Sequence, residues 1–134
     1  MPAPAFTHPI RVRWGEVDAQ GVVFNPNYLV YADVVGTEYY RHLGILNSDI
    51  PDLDQVFVVD AHVQFKASAR ADDLLTCTIQ PGRIGTSSFE LLVNIHRDDT
   101  HLTAIKMTYV RAIDGQSTPL SDTFKSTLSQ RKKA

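Results

Sequence analysis

Asp18 stands in the run Arg11-Val12-Arg13-Trp14-Gly15-Glu16-Val17-Asp18-Ala19-Gln20-Gly21-Val22-Val23-Phe24-Asn25-Pro26-Asn27-Tyr28. An extended segment ends in a carboxylate, a glycine-containing loop follows, and a helix opens on Asn25-Pro26. That order sets one acidic side chain near the partly positive, NH-bearing end of a helix. Such a helix end polarises a carbonyl, and the carboxylate attacks it or activates a water beside it. Acyl transfer to water is the chemistry this pairing suits best. The plainer reading is that Asp18 bonds backbone NH groups within its own turn, as Asp often does. Gly21 allows close approach of the loop to a substrate.

The elements that must position these groups follow from the pattern. Residues 8–17 alternate and predict a first strand. Asn25 reads as an N-cap with Pro26 at the first helical position, where the missing NH costs nothing. The helix is expected to run to about Leu43, with Gly44 as a left-handed stop. Tyr28, Tyr31, Val35 and Tyr39 share one side, while Leu29, Val30 and Val34 occupy others, so the helix is expected to be buried nearly all round. Strands are expected over 57–68, 73–81, 87–97 and 101–113, broken by Ala71-Asp72-Asp73, Pro81-Gly82, Gly85, Asp98-Asp99 and Asp114-Gly115. Residues 122–131 read as a short helical or irregular tail. One long helix with about five antiparallel strands is an α+β fold in which the sheet wraps the helix. Its open edge is expected to pair with a second copy, a homodimer at minimum.

The 134 residues carry a net charge of −2, with 43% apolar and 21% charged residues. They read as one domain over 1–134, with about 1–7 and 128–134 expected to fray. No basic field invites nucleic acid or an anionic membrane surface, and no apolar run is long enough to span a membrane. A start without charged and apolar regions does not read as a secretory signal, and the single Cys77 fits a reducing cytoplasm. The five histidines (8, 42, 62, 96 and 101) lack ligand spacing, so no metal is expected. No nucleotide-binding glycine motif is present.

Three segments resemble the hotdog-fold thioesterases, specifically the 4-hydroxybenzoyl-CoA thioesterase family. They are Trp14 to Val23 with Pro26-Asn27-Tyr28, then Tyr31-Ala32-Asp33, then Phe65-Lys66-Ala67-Ser68-Ala69-Arg70-Ala71-Asp72-Asp73-Leu74-Leu75-Thr76. The resemblance implies a hotdog fold, a dimer with joined sheets, often a dimer of dimers (hence a homotetramer), and sites shared between subunits. It implies no cofactor, coenzyme A entering as part of the substrate. It assigns Asp18 as nucleophile or general base and the Asn25 backbone NH as oxyanion donor, with Gly21, Val22 and Pro26 lining the substrate.

Asp33 is expected to be buried, either beside the acyl pocket, where it would meet a polar group such as a ring hydroxyl, or in a hydrogen bond to Tyr or Ser. Gly36 stands where many relatives carry an arginine, so an ion pair between Asp33 and that position is absent. Coenzyme A phosphates call for cations. Where the aryl-CoA branch has a basic cluster, Gly82 to Ser88 offers only Arg83; Ser87, Ser88 and backbone NH groups are the expected substitutes, with Arg70, Lys66 or Arg111 approaching from a neighbouring subunit. The expected activity is hydrolysis of an aryl-CoA, or of a short or medium acyl-CoA. The alternatives are a non-catalytic acyl-CoA-binding sensor or interaction module, and a dehydratase, for which no motif is found.

Overall fold

The computed structural model describes residues 4–130. Its elements are β1 (Phe6–Arg11), a 3-10 turn (Trp14–Glu16), α1 (Asn27–Leu43), a second 3-10 turn (Asp52–Gln55), β2 (Val56–Phe65), β3 (Leu74–Ile84), β4 (Ser88–Arg97), β5 (Thr100–Ile113), β6 (Gln116–Ser117) and α2 (Asp122–Ser129). The strand order is β1-β3-β4-β5-β2, with the short β6 on β5. All pairings are antiparallel.

Alternation builds the core. Leu75, Cys77 and Ile79 of β3, Phe89, Leu91, Val93 and Ile95 of β4, and Ile105 and Met107 of β5 are all buried on one face. Onto that face α1 lays Tyr28, Tyr31, Ala32, Val35, Gly36, Tyr39 and Leu43, a stripe at helical spacing. Gly44 ends the helix at φ 79°, its NH bonded back to Arg41 and Tyr40. The α2 segment closes the core with Phe124, whose ring meets Phe89 edge-on at 5.2 Å. Ser121 caps α2, and the buried Asp52 accepts from the Ser121 NH at 2.9 Å and its hydroxyl at 2.7 Å.

Several expectations are corrected. The first strand spans 6–11, not 8–17, because Arg13 and Glu16 close a 3-10 turn and leave Trp14 84% exposed. Phe6 and Thr7 belong to β1, so they are not frayed. Leu128 is fully buried on α2, and burying one leucine contributes about 1.5–3 kcal/mol, enough to hold that turn in place. Of the rest of both expected tails, residues 1–3 and 131–134 lie outside the described residues. Pro81-Gly82 does not end β3; the strand passes through with a register shift between Pro81 and Ile84, the kind of irregularity that tolerates proline and glycine.

The helix is not covered all round. Val30 is 51% exposed, with Leu29 and Val34 beside it, and the edge strand β2 exposes Phe57, Val58, Val59 and Phe65. A single curled sheet covers one side of a helix, and the opposite flank of α1 stays open. Among the described residues no helix is long and apolar enough to cross a membrane.

Candidate active site

The loop carrying Asp18 is a closed turn. Val17 bridges Val23, the Asp18 NH donates to the Val22 carbonyl at 2.9 Å, and the Gly21 NH donates to the Asp18 carbonyl at 2.9 Å. Gly21 sits at φ +79°, the left-handed conformation in which a side chain is strained. The turn occupies one carboxylate oxygen: Oδ1 accepts from the Gln20 NH at 2.8 Å. Oδ2 accepts from no described donor. Asp18 lines a cavity of about 550 Å³ with Trp14, Val17, Ala19, Gly21, Arg70 and Ala71.

Two fastenings hold that loop. On one side Val22 bridges Arg70, and the Val23 NH donates to the Ala69 carbonyl at 2.9 Å. The Tyr28 hydroxyl in turn accepts from the Ala69 NH at 3.0 Å. On the other side the Glu16 carbonyl accepts from the Phe24 NH at 3.0 Å and the Asn27 side chain at 2.9 Å, tying the loop to the start of α1. The Glu16 carboxylate accepts from the Tyr31 hydroxyl at 2.9 Å and from Arg13 through NH and Nε. Burial pushes the Glu16 carboxyl up, but the Arg13 bonds and the Tyr31 hydroxyl outweigh it and hold it below its ordinary value. The Tyr31 hydroxyl moves the other way, raised by burial and by Glu16.

Glu16, Tyr28 and Tyr31 were not legible as positioning residues. The tyrosines read as core, and their buried rings with bonded hydroxyl tips satisfy both descriptions. The one available signal was a second carboxylate two residues before Asp18.

The helix start differs by one residue from the expected cap. Pro26 is the N-cap, with backbone already helical at φ −62° and ψ −22°, and no side chain caps it. The Asn25 carbonyl accepts from the Tyr28 NH at 3.2 Å. The Asn25 NH has no acceptor among the described residues, and the exposed Asn25 borders a smaller cavity of about 170 Å³ with Tyr28, Phe65, Lys66, Ala67 and Ser68. Pro26 has no NH to offer, which leaves the Asn25 NH as a free donor at this helix end.

The remaining candidates are spread out. Asp33 is exposed in the chain, not buried, because α1 turns this flank away from the sheet. It lines a cavity of about 340 Å³ with Gly36, Tyr40, Val58 and Tyr109, among others. Arg70 shares the Asp18 cavity. Arg83, Ser87 and Ser88 lie at the β3–β4 turn, the opposite end of β3 from Arg70, about 30 Å along the strand. There the Arg83 NH donates to Glu90 Oε1 at 3.0 Å and the Ser88 carbonyl accepts from the Gly85 NH.

Arg111 is unsuited to a phosphate. Its guanidinium donates to Gln55 and to the Pro119 carbonyl and lies 3.7 Å from the buried Asp52. Cys77 is buried, and burial pushes its thiol up to about 12, which removes it as a nucleophile. Among the described residues no group of three or more His, Cys, Asp or Glu side chains is placed to hold a metal.

A curled antiparallel sheet on one long helix, with an acidic loop fastened to the helix start, is the hotdog architecture. The chain belongs to the thioesterase superfamily, whose profile matches residues 20–104. That match takes in Gly21, Asn25 and Asp33 and begins just beyond Asp18. The chain is 27% identical over 115 residues to a 1,4-dihydroxy-2-naphthoyl-CoA hydrolase of Thermosynechococcus vestitus, covering 80% of this chain and 75% of that protein. It is 35% identical over 72 residues to the acyl-CoA thioesterase YbgC of Haemophilus influenzae, covering 52% of this chain and 53% of that protein. The match thus spans about half the length of that relative. A solved structure from Aquifex aeolicus superposes with a TM-score of 0.85 at 21% identity, covering 92% of this chain and 98% of that one, a likeness of fold.

Proposed function

We propose that this protein hydrolyses an acyl-CoA thioester to the free acid and coenzyme A, with Asp18 as the reacting carboxylate and the Asn25 NH as the oxyanion donor. One observation carries the reading: a carboxylate with an uncommitted oxygen is fixed, through Glu16, to a helix start whose NH is also uncommitted. The thioester carbonyl oxygen bonds the Asn25 NH, and its carbon faces Asp18. Asp18 takes a proton from water as the water adds, or attacks directly to form an anhydride that water opens. The C–S bond breaks in either route, and the departing thiolate of coenzyme A takes up a proton. No cofactor is required beyond the coenzyme A carried by the substrate. The lone, buried Cys77 suits a reducing cytoplasm.

Two relatives named for acyl-CoA and for dihydroxynaphthoyl-CoA support the substrate class, with aryl-CoA the first choice and short or medium acyl-CoA the second. The exposed apolar flank of α1 and the open β2 edge support a homodimer, doubled in a homotetramer. Within one chain the β3–β4 turn is too far from Asp18 to hold the same substrate. Phosphate contacts from Arg83, Ser87 or Ser88 therefore require a neighbouring subunit, whereas Arg70 acts in its own.

The test is thiol release from a panel of aryl- and aliphatic-CoA thioesters, with Asp18→Asn in parallel. Hydrolysis of one class that falls about 100-fold or more in the variant is expected, the scale of a lost acid–base or nucleophilic group. Saturable binding without hydrolysis by the folded wild type would instead make the protein a sensor. Single turnovers in labelled water separate the two routes, since only direct attack leaves label in Asp18.

A further inference from the structure

The turn leading into β3 holds the Asp18 loop through two of its residues. The Ala69 carbonyl accepts from the Val23 NH at 2.9 Å, the Ala69 NH donates to the Tyr28 hydroxyl at 3.0 Å, and Arg70 bridges Val22. The two ends of that turn are drawn together by a single side chain from elsewhere. Arg97, the last residue of β4, donates from one guanidinium nitrogen, Nη1, to the Ser68 carbonyl at 3.0 Å and to Asp73 Oδ2 at 2.9 Å. The same Asp73 oxygen accepts from the Arg70 NH at 2.8 Å. Antiparallel pairing explains the meeting: Thr76 of β3 lies opposite His96 of β4, so the end of β4 runs beside the chain entering β3.

That clasp is charged and partly shielded, the Arg97 and Asp73 side chains being 33% and 22% exposed. A bare surface pair would contribute little, but here each partner also bonds the backbone of the turn. Burial pushes the Asp73 carboxyl up, yet the Arg70 NH, the Arg97 bond and charge, and the Arg70 charge outweigh it and hold it below its ordinary value. Asp72 adopts φ 69°, a left-handed conformation that costs an L residue energy, so contacts and not local preference set the shape of the turn. The Asp72 NH donates to the Val12 carbonyl and the Val12 NH to the Asp73 carbonyl, both at 2.9 Å. The chain beyond β1 thus anchors the Asp73 end, and Arg97 ties Ser68 to that anchored end.

We propose that Arg97 is a positioning residue for the hydrolysis, acting through the turn at 68–73 to set where the Asp18 loop sits. The inference rests on the thioesterase reading and adds a residue that lines neither cavity beside the reacting groups. Without the clasp, Ser68 parts from Asp73, Ala69 and Arg70 gain freedom, and the Val22–Val23 arm of the Asp18 loop moves with them. A reacting group displaced by about 1 Å loses a large factor in rate. The exposed Arg70 side chain can follow a substrate that shifts, so the loss falls on turnover more than on binding.

The experiment compares Arg97→Gln and Asp73→Asn with the wild type, well below their melting temperatures, on the best substrate of the thioester panel. Each is expected to lower kcat roughly 10-fold with KM changed less than about 3-fold. The double variant falls no further than the more impaired single variant, since the two residues serve one clasp. In an Asp18→Asn background, Arg97→Gln leaves the residual rate unchanged, because no carboxylate remains to be misplaced. An unchanged kcat in both single variants, or an equal fall with and without the Asp18 carboxylate, overturns the proposal.

Amide hydrogen exchange supplies a readout that needs no turnover. In Arg97→Gln the Val23 and Asp18 NH groups, bonded to Ala69 and Val22, are expected to exchange about 10-fold faster, while amides of the central strands β3 and β4 keep their rates. Faster loop exchange with no hydrolysis by the folded wild type supports the clasp, and then it is the thioesterase reading that fails. Asp18-dependent hydrolysis with kcat and loop exchange both blind to Arg97 leaves the enzyme standing and removes the positioning role. Uniform quickening across the sheet makes Arg97 a general stabilising residue and overturns the proposal.

Discussion

Asp18 serves its turn and the proposed reaction through different oxygens, which makes the two roles separable. Oδ1 accepts from the Gln20 NH, a bond an asparagine oxygen also makes. Asp18→Asn is therefore expected to keep its stability within about 0.5 kcal/mol, whereas Asp18→Ala loses about 1 kcal/mol. Both are expected to lose the activity. Urea unfolding of the two variants beside their turnover checks this, and equal destabilisation would mean the turn does not use Oδ1.

Tyr31 acts one bond further out, donating to Glu16 at 2.9 Å. Tyr31→Phe is expected to cost about 1.5–3 kcal/mol, the range for a bond to a charged group, and to lower turnover by loosening the Asp18 loop. The pH dependence has a definite sign. Glu16 is held below its ordinary value in the folded chain, so its stabilisation is full above the unfolded carboxylate range. That stabilisation is lost as pH falls through the lowered folded value. With the Tyr31 bond gone the folded value rises, so Tyr31→Phe should lose less stability than the wild type on acidification. Melting temperatures of both proteins from neutral pH down to about pH 3 read that difference.

At the scale of elements, two short connections decide where the chemistry sits. The 3-10 turn at Trp14–Glu16 ends β1 early and lifts the chain off the sheet, and the Glu16 carbonyl then joins the loop to α1. The Gly21 turn closes the loop at φ +79°, where a Cβ would meet only Arg70 Nη1 at an ordinary 3.8 Å. Gly21→Ala is thus expected to cost about 1–2 kcal/mol through backbone strain and not through a clash. A chemical-denaturation series checks the value; a neutral result would place the loop in a different backbone conformation.

For the whole molecule, the apolar strip along α1 and β2 matters more than any single contact. Val59 is 59% exposed and is the extra residue at the shift between Val58 and Asp60, so it faces away from this chain's own core. A lysine fits there in one copy and obstructs pairing along the edge. Sedimentation is expected to show the wild type as a dimer or larger and Val59→Lys as a folded monomer. A variant that stays dimeric would place the interface elsewhere.

The sequence by itself determined the α+β architecture, since period-two alternation in Phe89-Leu91-Val93-Ile95 and the helical spacing of Tyr28, Tyr31, Val35 and Tyr39 are local consequences of which side chains must leave water. It also made the order of carboxylate, glycine loop and helix start legible. Tertiary structure alone decided which flank of α1 stays open, that Arg111 is tied to Asp52 and Gln55, and that Arg83 and Arg70 lie at opposite ends of β3. It alone decided that Glu16 and Tyr31 brace the loop, and that the Tyr40 hydroxyl is buried with no partner among the described residues. The physical reason is one of range: periodicity reports whether a residue is buried, but a hydrogen-bond partner comes from whatever distant segment the fold brings alongside.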